Sequence, residues 1–403
     1  MEKLRGCMSN GRYLIAKIFS PFTSMKDTIN IGDTKEMLCE MLAIPSVSGD
    51  EGALSDYIAQ KLRDAGAECV RQQIVDGDRR NVFAEVTGSL PGKTILLTGH
   101  MDTVEAGDGW TVNPFAGTER DGRIYGRGAN DMKAGIAIIL QTVSTCVRNR
   151  GRLRGKIVVA FVCDEEAYSE GVLCAIKEGN IHADFGIAAE PEYHHAVIGS
   201  CGKVLIRAVA HGKAAHAAEA ESGINAINEM SKFLSVLERV PLQTSEVMPA
   251  QPYITLRVRG GSNRYSMVVP DSCEALISKH TVPGETPEKI IVDLQSAVQR
   301  EKLHASFEFA VEKPFYPSFL LNDNLEEICR LRHIFEEVTG EELKLVCSDG
   351  VSDNNHWSTI GGIPSVCFGP GGKGLHQSDE WVSTEQMENV LEVYLRFFLE
   401  DEE

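Results

Sequence analysis

The chain has 403 residues, 43% of them hydrophobic and 24% charged, the make-up of an ordinary globular protein long enough for more than one domain with its own core. A formal net charge of -18 excludes nucleic acid and anionic membrane as partners, and no apolar run approaches the roughly 20 residues that span a bilayer. The 11 cysteines, an odd number without a C-x-x-C pair, exclude a disulfide scaffold or a thiolate zinc site and fit a reduced, cytoplasmic chain.

Residues 1–30 are expected to be an N-terminal extension. The stretch "MEKLRGCMSNGRYLIAKIFSPFTS" is basic, its LIAKIF segment is too short for a secretory apolar region, and Met25 is an alternative start. Residues 31–198 read as α/β. Helix patterns cover Thr34–Ala43 and Glu51–Ala65, strands Asn81–Val86 and Thr94–Thr98, and a helix Lys133–Val147. Two more strands follow, Ile157–Val162 and Phe185–Ala189. Strands alternating with helices predict a mostly parallel sheet covered by helices.

From about Gly199 the pattern changes. Lys203–Ala210 reads as a strand, Gly223–Val240 as a helix, Tyr253–Val258 and Cys273–Val282 as strands, Pro287–Lys302 as a helix and Ser306–Val311 as a strand. That order is βαββαβ, a ferredoxin-like insert over residues 199–312. Residues 313–403 return to the first α/β unit. Two motif matches are set aside. "GPGGKG" (Gly369–Gly374) opens no helix, and "GSLPGKT" (Gly88–Thr94) is one residue short of a phosphate loop and reads as a hairpin turn. No G-x-S-x-G is present.

Chemistry collects at the strand ends. "KIVVAFVCDEEAYSEGV" runs an apolar strand into Asp164-Glu165-Glu166, although packed carboxylates repel and lose their water. "TILLTGHMDTV" sets His100 and Asp102 on the same side of an extended chain. "GRGANDMKAG" places Asp131 before a helix, "AAEPE" places Glu190 at a strand end, and "GPGGKGLHQSDE" places His376 in a glycine-rich loop. In open α/β sheets ligands sit beyond the carboxyl ends of the strands. Each residue alone has a plainer explanation, such as a helix cap for Asp131 or a solvated turn for Glu190. Five such ends together suit zinc or a similar divalent ion, because the set holds two imidazoles, several carboxylates and no thiolate.

These stretches, with "SVSGDEG" and "GKAAHAAEAESGINAI", resemble in order and spacing the di-zinc hydrolases that include acetylornithine deacetylase, succinyl-diaminopimelate desuccinylase, aminoacylase and glutamate carboxypeptidase. The resemblance runs from about Thr34 to the C-terminal region. It implies a zinc exopeptidase-like catalytic domain in two parts, 31–198 and 313–403, with 199–312 as a lid and dimerisation domain. It implies two zinc ions per chain, with cobalt or manganese as substitutes. His100, Asp131 and Glu190 would hold one ion, and Asp131, Glu166 and His376 the other, with Asp131 bridging. Asp102 would orient the His100 ring and Glu165 would be the general base. His216, in "GKAAHAA", would stabilise the oxyanion in a neighbouring active site of a homodimer.

The chain departs from that family at two places. Met267 stands where relatives carry an asparagine, and Ser278-Lys279-His280 replaces D-x-R. His280 is therefore the expected carboxylate contact, with Lys279 the alternative. The resemblance implies an amidohydrolase of N-acyl amino acids. A di-zinc dipeptidase or carboxypeptidase is the second reading, and a non-catalytic binding protein on the same fold the third.

Overall fold

The computed structural model describes residues 31–399 apart from 180, 263, 265 and 266. The extension expected over 1–30 lies outside the described residues. Helices α1 (Ile31–Leu42) and α2 (Gly52–Asp64) lead into strands β1 (Glu68–Asp76), β2 (Arg79–Thr87) and β3 (Leu90–His100). Short strands β4 (Thr118–Arg120) and β5 (Arg123–Tyr125) precede α3 (Ala134–Arg148), β6 (Arg154–Val162), α4 (Glu170–Glu178), β7 (Phe185–Ala188) and β8 (His195–Ser200). The insert follows as β9 (Gly202–His211), α5 (Ala226–Val236), β10 (Tyr253–Gly260), β11 (Ser272–Thr281), α6 (Pro287–Arg300) and β12 (Ser306–Tyr316). The chain closes with β13 (Phe319–Leu320), α7 (Glu326–Thr339), β14 (Lys344–Ser348), α8 (Asp353–Ser358), β15 (Ser365–Cys367), β16 (Gly372–Lys373), β17 (Trp381–Ser383) and α9 (Thr384–Phe398).

The fold is α/β, and its main sheet is mixed. The order is β1-β2-β6-β3-β7-β15-β8-β13, with β14 also paired to β8. The centre is parallel: β3 pairs in parallel with β6 and β7, and β15 with β7. Both flanks turn antiparallel, at β1, β2 and β6 on one side and at β8 with β13 and β15 on the other. The central strands read as unbroken apolar runs because both of their faces are covered. On β6, Ile157, Val159 and Phe161 join the core under α1, α3 and α9, while Val158, Ala160 and Val162 join a second core with Trp357 on the opposite face.

Two expectations change here. "GSLPGKT" is no hairpin, because β6 lies between β2 and β3. Strand β1 was missed in the sequence. Its residues, ECVRQQIVD, are partly exposed throughout and pair only at the edge, so the apolar signal of a core strand is absent.

The insert forms its own four-stranded sheet, β10-β11-β9-β12, with its own core of Val204, Ile206, Phe233, Ile277 and Leu294 beneath α5 and α6. The βαββαβ order is as expected. On the face opposite the helices, alternate residues such as Lys203, Leu205 and Arg207 of β9 border a cleft of about 530 Å³, whose other wall includes Ala167 and Tyr168. Edge strand β10 exposes Ile254, Leu256 and Val258.

Candidate metal centre

The carboxyl ends of the four central strands converge. His100 ends β3, Glu165 and Glu166 follow β6, Glu190 follows β7, and His376 lies in the loop between β16 and β17, downstream of β15. Asp131 joins them from the turn before α3, where the Asp131–Met132 peptide is cis. That helix start is pressed against the β7 end: a Cβ on Gly135 would come within 2.2 Å of the Ala189 carbonyl, so only glycine allows the approach.

Asp131 faces both imidazoles with different oxygens. Its Oδ1 lies 3.0 Å from His100 Nε2 and its Oδ2 lies 3.4 Å from His376 Nε2. His376 Nε2 is also 2.9 Å from Glu166 Oε1, and His100 Nε2 is 3.9 Å from Glu190 Oε2. One donor atom each from His100, Asp131 and Glu166 falls within 4.8 Å of the others. Donors of a common zinc ion lie roughly 3 Å apart, and zinc accepts nitrogen and oxygen together, so these residues fit a divalent metal.

The electrostatics point the same way. Burial pushes the Glu190 carboxyl up to about 8, and burial with Asp353, Glu190 and Glu166 nearby raises Glu165 well above the carboxylate range. For His100, burial alone would lower the pKa, but Asp102 and Asp131 outweigh it and raise it. The hydrogen bond to Asp131, with Glu166 beside it, lifts His376 to about 9 despite partial burial. Glu165, Glu166 and Glu190 resist ionising because burial and one another's charge disfavour it, whereas Asp131, between two imidazoles, is held well below the usual carboxylate range; a cation would relieve the repulsion among the acids.

Beneath the cluster, fully buried Asp102 organises the turn. Its Oδ1 accepts from the Glu165 backbone N–H at 3.0 Å, and its Oδ2 accepts from the Glu166 N–H at 3.0 Å and the Ser48 hydroxyl at 2.7 Å. The nearest acceptor for His100 Nδ1 is the Asp102 main-chain oxygen at 3.0 Å, with the Asp102 carboxylate at 3.6 Å. Asp164 closes the same turn: its main-chain oxygen accepts from Ala167, Tyr168 and Ser169, and its carboxylate pairs with Arg79 at 2.7 Å. Glu165 is enclosed by protein yet keeps a solvent-accessible edge, and its carboxylate makes no hydrogen bond among the described residues.

The remaining expected residues lie elsewhere. His216 is exposed on the insert, where its Nδ1 accepts from the Ala218 N–H at 3.1 Å; among the described residues it touches no cluster member. His280 pairs in register with Lys203 on the open face of the insert sheet. Burial and the Lys203 and Lys279 cations lower its pKa, so its charge is lost on the acid side of the ordinary histidine range. Lys279 is corrected outright as a carboxylate ligand. It is fully buried and bonds to the His280 main-chain oxygen at 2.7 Å and Glu285 at 3.3 Å.

Two further acids escaped sequence reading. Glu380 is fully buried and gathers four N–H donors: the Arg127 guanidinium at 2.5 Å and the backbone of Gly128, Asn130 and Asp131 at 3.0, 2.8 and 3.0 Å. It holds the turn that presents Asp131. Asp353, the first residue of α8, is 5% exposed. Burial pushes it up to about 7, and neighbouring Ser169 favours its ionised form without completing a well-formed hydrogen bond to either oxygen.

Residues 96–400 match the sequence model of Peptidase family M20/M25/M40. Over 373 residues the chain is 27% identical to a succinyl-diaminopimelate desuccinylase of Sulfurimonas denitrificans, covering 90% of this chain and 97% of that protein. It is 25% identical to an N-formyl-4-amino-5-aminomethyl-2-methylpyrimidine deformylase of Bacillus subtilis, covering 91% and 92%. The fold superposes on the crystal structure of a Staphylococcus aureus tripeptidase with a TM-score of 0.73 and 25% identity, over 92% of this chain and 99% of that one. The chain belongs to Peptidase family M20/M25/M40 and is a hydrolase of amide bonds.

Proposed function

We propose that this protein is a di-zinc amidohydrolase that cleaves the amide bond of an N-acyl amino acid. The observation that carries the reading is Asp131, which offers one oxygen toward His100 and the other toward His376. A carboxylate so placed serves as a bridge between two ions. On this reading His100 and Glu190 complete one site, and Glu166 and His376 the other. Zinc, replaceable by cobalt or manganese, would lower the pKa of a water and polarise the amide carbonyl.

The chain's own groups do the rest. Glu165, held by Asp102 through its backbone and free at its carboxylate, takes the proton of the attacking water and hands it to the leaving nitrogen. Burial and the neighbouring acids raise its pKa, which favours its taking up a proton. Asp102 keeps His100 oriented and the Glu165–Glu166 turn in place. The cleft between Tyr168 and the insert sheet gives the acyl amino acid room, with Lys203 and His280 near its edge as candidate contacts for the substrate carboxylate.

The insert is the lid and the dimerisation surface. Exposed β10 can pair with its twin, and a homodimer would let the exposed His216 of one chain serve the other's site. The cysteines among the described residues are free, which supports a reducing, cytoplasmic setting, and no helix among the described residues is long and apolar enough to cross a membrane. A dipeptidase or carboxypeptidase is the second reading, favoured by the likeness to a tripeptidase. Product analysis on N-acetyl and N-succinyl amino acids against dipeptides separates the two. Hydrolysis of neither class would contradict both.

A further inference from the structure

The chain enters the βαββαβ unit at Cys201–Gly202 and leaves it at Tyr316–Pro317. These crossings touch: a Cβ on Gly202 would come within 2.4 Å of the Tyr316 main-chain oxygen. One side chain holds both. Fully buried Asn355 donates through Nδ2 to Cys201 O at 2.9 Å and to Pro317 O at 2.8 Å, while its Oδ1 accepts from the Ser352 N–H at 3.0 Å. Helix α8, which carries Asn355, is itself tied to β15 by Asn354 Nδ2 donating to Ser365 O at 2.7 Å.

Tyr316 reaches from this junction to the end of the turn that carries Glu165 and Glu166. Its hydroxyl shares a hydrogen bond of 3.0 Å with Ser169 Oγ, and its ring lies 4.9 Å from that of His356. Burial raises its pKa, so the hydroxyl stays protonated. Ser169 ends the turn that begins at Asp164 and carries Glu165 and Glu166, and its N–H donates to Asp164 O at 2.7 Å. Its backbone is left-handed, with φ of 56°, a conformation a serine keeps only when its surroundings hold it there.

We propose that Tyr316 is a positioning residue: through Ser169 it couples the seating of the βαββαβ unit to the turn bearing Glu165 and Glu166, with Asn355 as the pin for both crossings. The proposal rests on the reading of Glu165 as the base. A unit swung away carries Tyr316 with it and leaves Ser169 unsupported. A seated unit restores the bond and the alignment of the base. Tyr316 need not touch substrate, so its loss is expected in kcat and not in KM.

The test uses the metal-loaded full chain. Tyr316→Phe keeps the ring and removes one hydrogen bond, and is expected to lower kcat about tenfold on the best N-acyl amino acid or dipeptide, with KM unchanged. Ser169→Ala should act alike, and the double variant should lose no more than either single one, since both remove the same bond. Spin labels on p-acetylphenylalanine at exposed Val292 and Glu388 report the unit's seating without substrate. The distance distribution should broaden in Tyr316→Phe and more so in Asn355→Ala. Wild-type kcat in Tyr316→Phe, or additive losses in the double variant, would overturn the coupling. If the wild type cleaves neither substrate class, the functional reading fails by itself, and a distribution of wild-type width in Tyr316→Phe still decides against the link.

Discussion

Asp102 and Glu166 meet through backbone: the Asp102 Oδ2 accepts the Glu166 N–H at 3.0 Å while Oδ1 accepts the neighbouring N–H of Glu165. A single buried carboxylate thus sets the turn that carries Glu165 and Glu166. Asp102→Ala should strand those N–H groups and the Ser48 hydroxyl, costing about 1–3 kcal/mol of stability for each unsatisfied buried group. Asp102→Asn keeps one acceptor and should cost less. Urea unfolding of the two variants against the wild type measures the difference; equal midpoints would remove Asp102 from this role.

Glu380 makes a comparable claim on the Asp131 turn. Glu380→Gln replaces one acceptor oxygen by an NH2 that confronts N–H donors. Outer partners of metal ligands typically contribute 10–100-fold in affinity, and a loss of that order is expected in a metal titration. An unchanged titration with unchanged folding would show that the turn holds without it.

These two acids show what the sequence displays and what it hides. The convergence of His100, Asp131, Glu166, Glu190 and His376 is partly legible: His100, Glu166 and Glu190 stand at or just past the ends of buried apolar strands, where charge is costly and invites a chemical reason, whereas Asp131 and His376 sit in glycine-rich turns and are marked only by their motifs. Glu380 is not, since its partners, the Arg127 guanidinium and three backbone N–H groups, lie about 250 positions away and nothing in "QSDEWV" marks it as buried. Asp353 reads as an ordinary acid at a helix start. Lys279 looked available on a strand, but alternation turns it into the insert core beside Glu285. The insert's βαββαβ order was readable from periodicity, whereas the antiparallel flanks of the main sheet were not, because pairing direction leaves no local signal in β1 or β8.

The metal-free protein should lose stability as pH rises. Its His376 has a pKa raised to about 9 and its Glu190 one raised to about 8. Both raised values mean that the folded state binds more protons than the unfolded chain. The contribution of His376 is complete below about 6.5 and that of Glu190 below about 4.3, the unfolded values. Each is lost as pH climbs through the folded value. The melting temperature of chelator-treated protein is therefore expected to fall from pH 5 to pH 9, and added zinc to reverse much of the fall. A flat profile without metal would contradict the proton-holding cluster.

Arg79→Met should leave Asp164 as an unpaired acid with only 4% of its side chain exposed. Removing one partner of a buried pair costs about 3–5 kcal/mol, reduced here because Arg79 keeps some contact with water. Chemical denaturation should show a loss on the order of 2–3 kcal/mol. A change below about 0.5 kcal/mol, the range of ordinary surface substitutions, would show the turn to be independent of the pair.

The homodimer reading is tested by complementation. Chains with His216→Ala and chains with Glu165→Ala, each nearly inactive alone, should regain part of the activity when mixed and allowed to exchange subunits. Demonstrated mixed dimers without rescue would place His216 outside the partner's site.

The most direct test of the two-metal amide hydrolase reading is metal content and turnover measured together on Glu165→Ala. The wild type should hold two divalent ions per chain and release free amino acid from an N-acyl amino acid. Glu165→Ala should retain both ions and lose at least ~10²-fold in kcat, while Glu166→Ala loses metal. Wild-type turnover by Glu165→Ala, or a fully active wild type holding no divalent ion, would contradict the account.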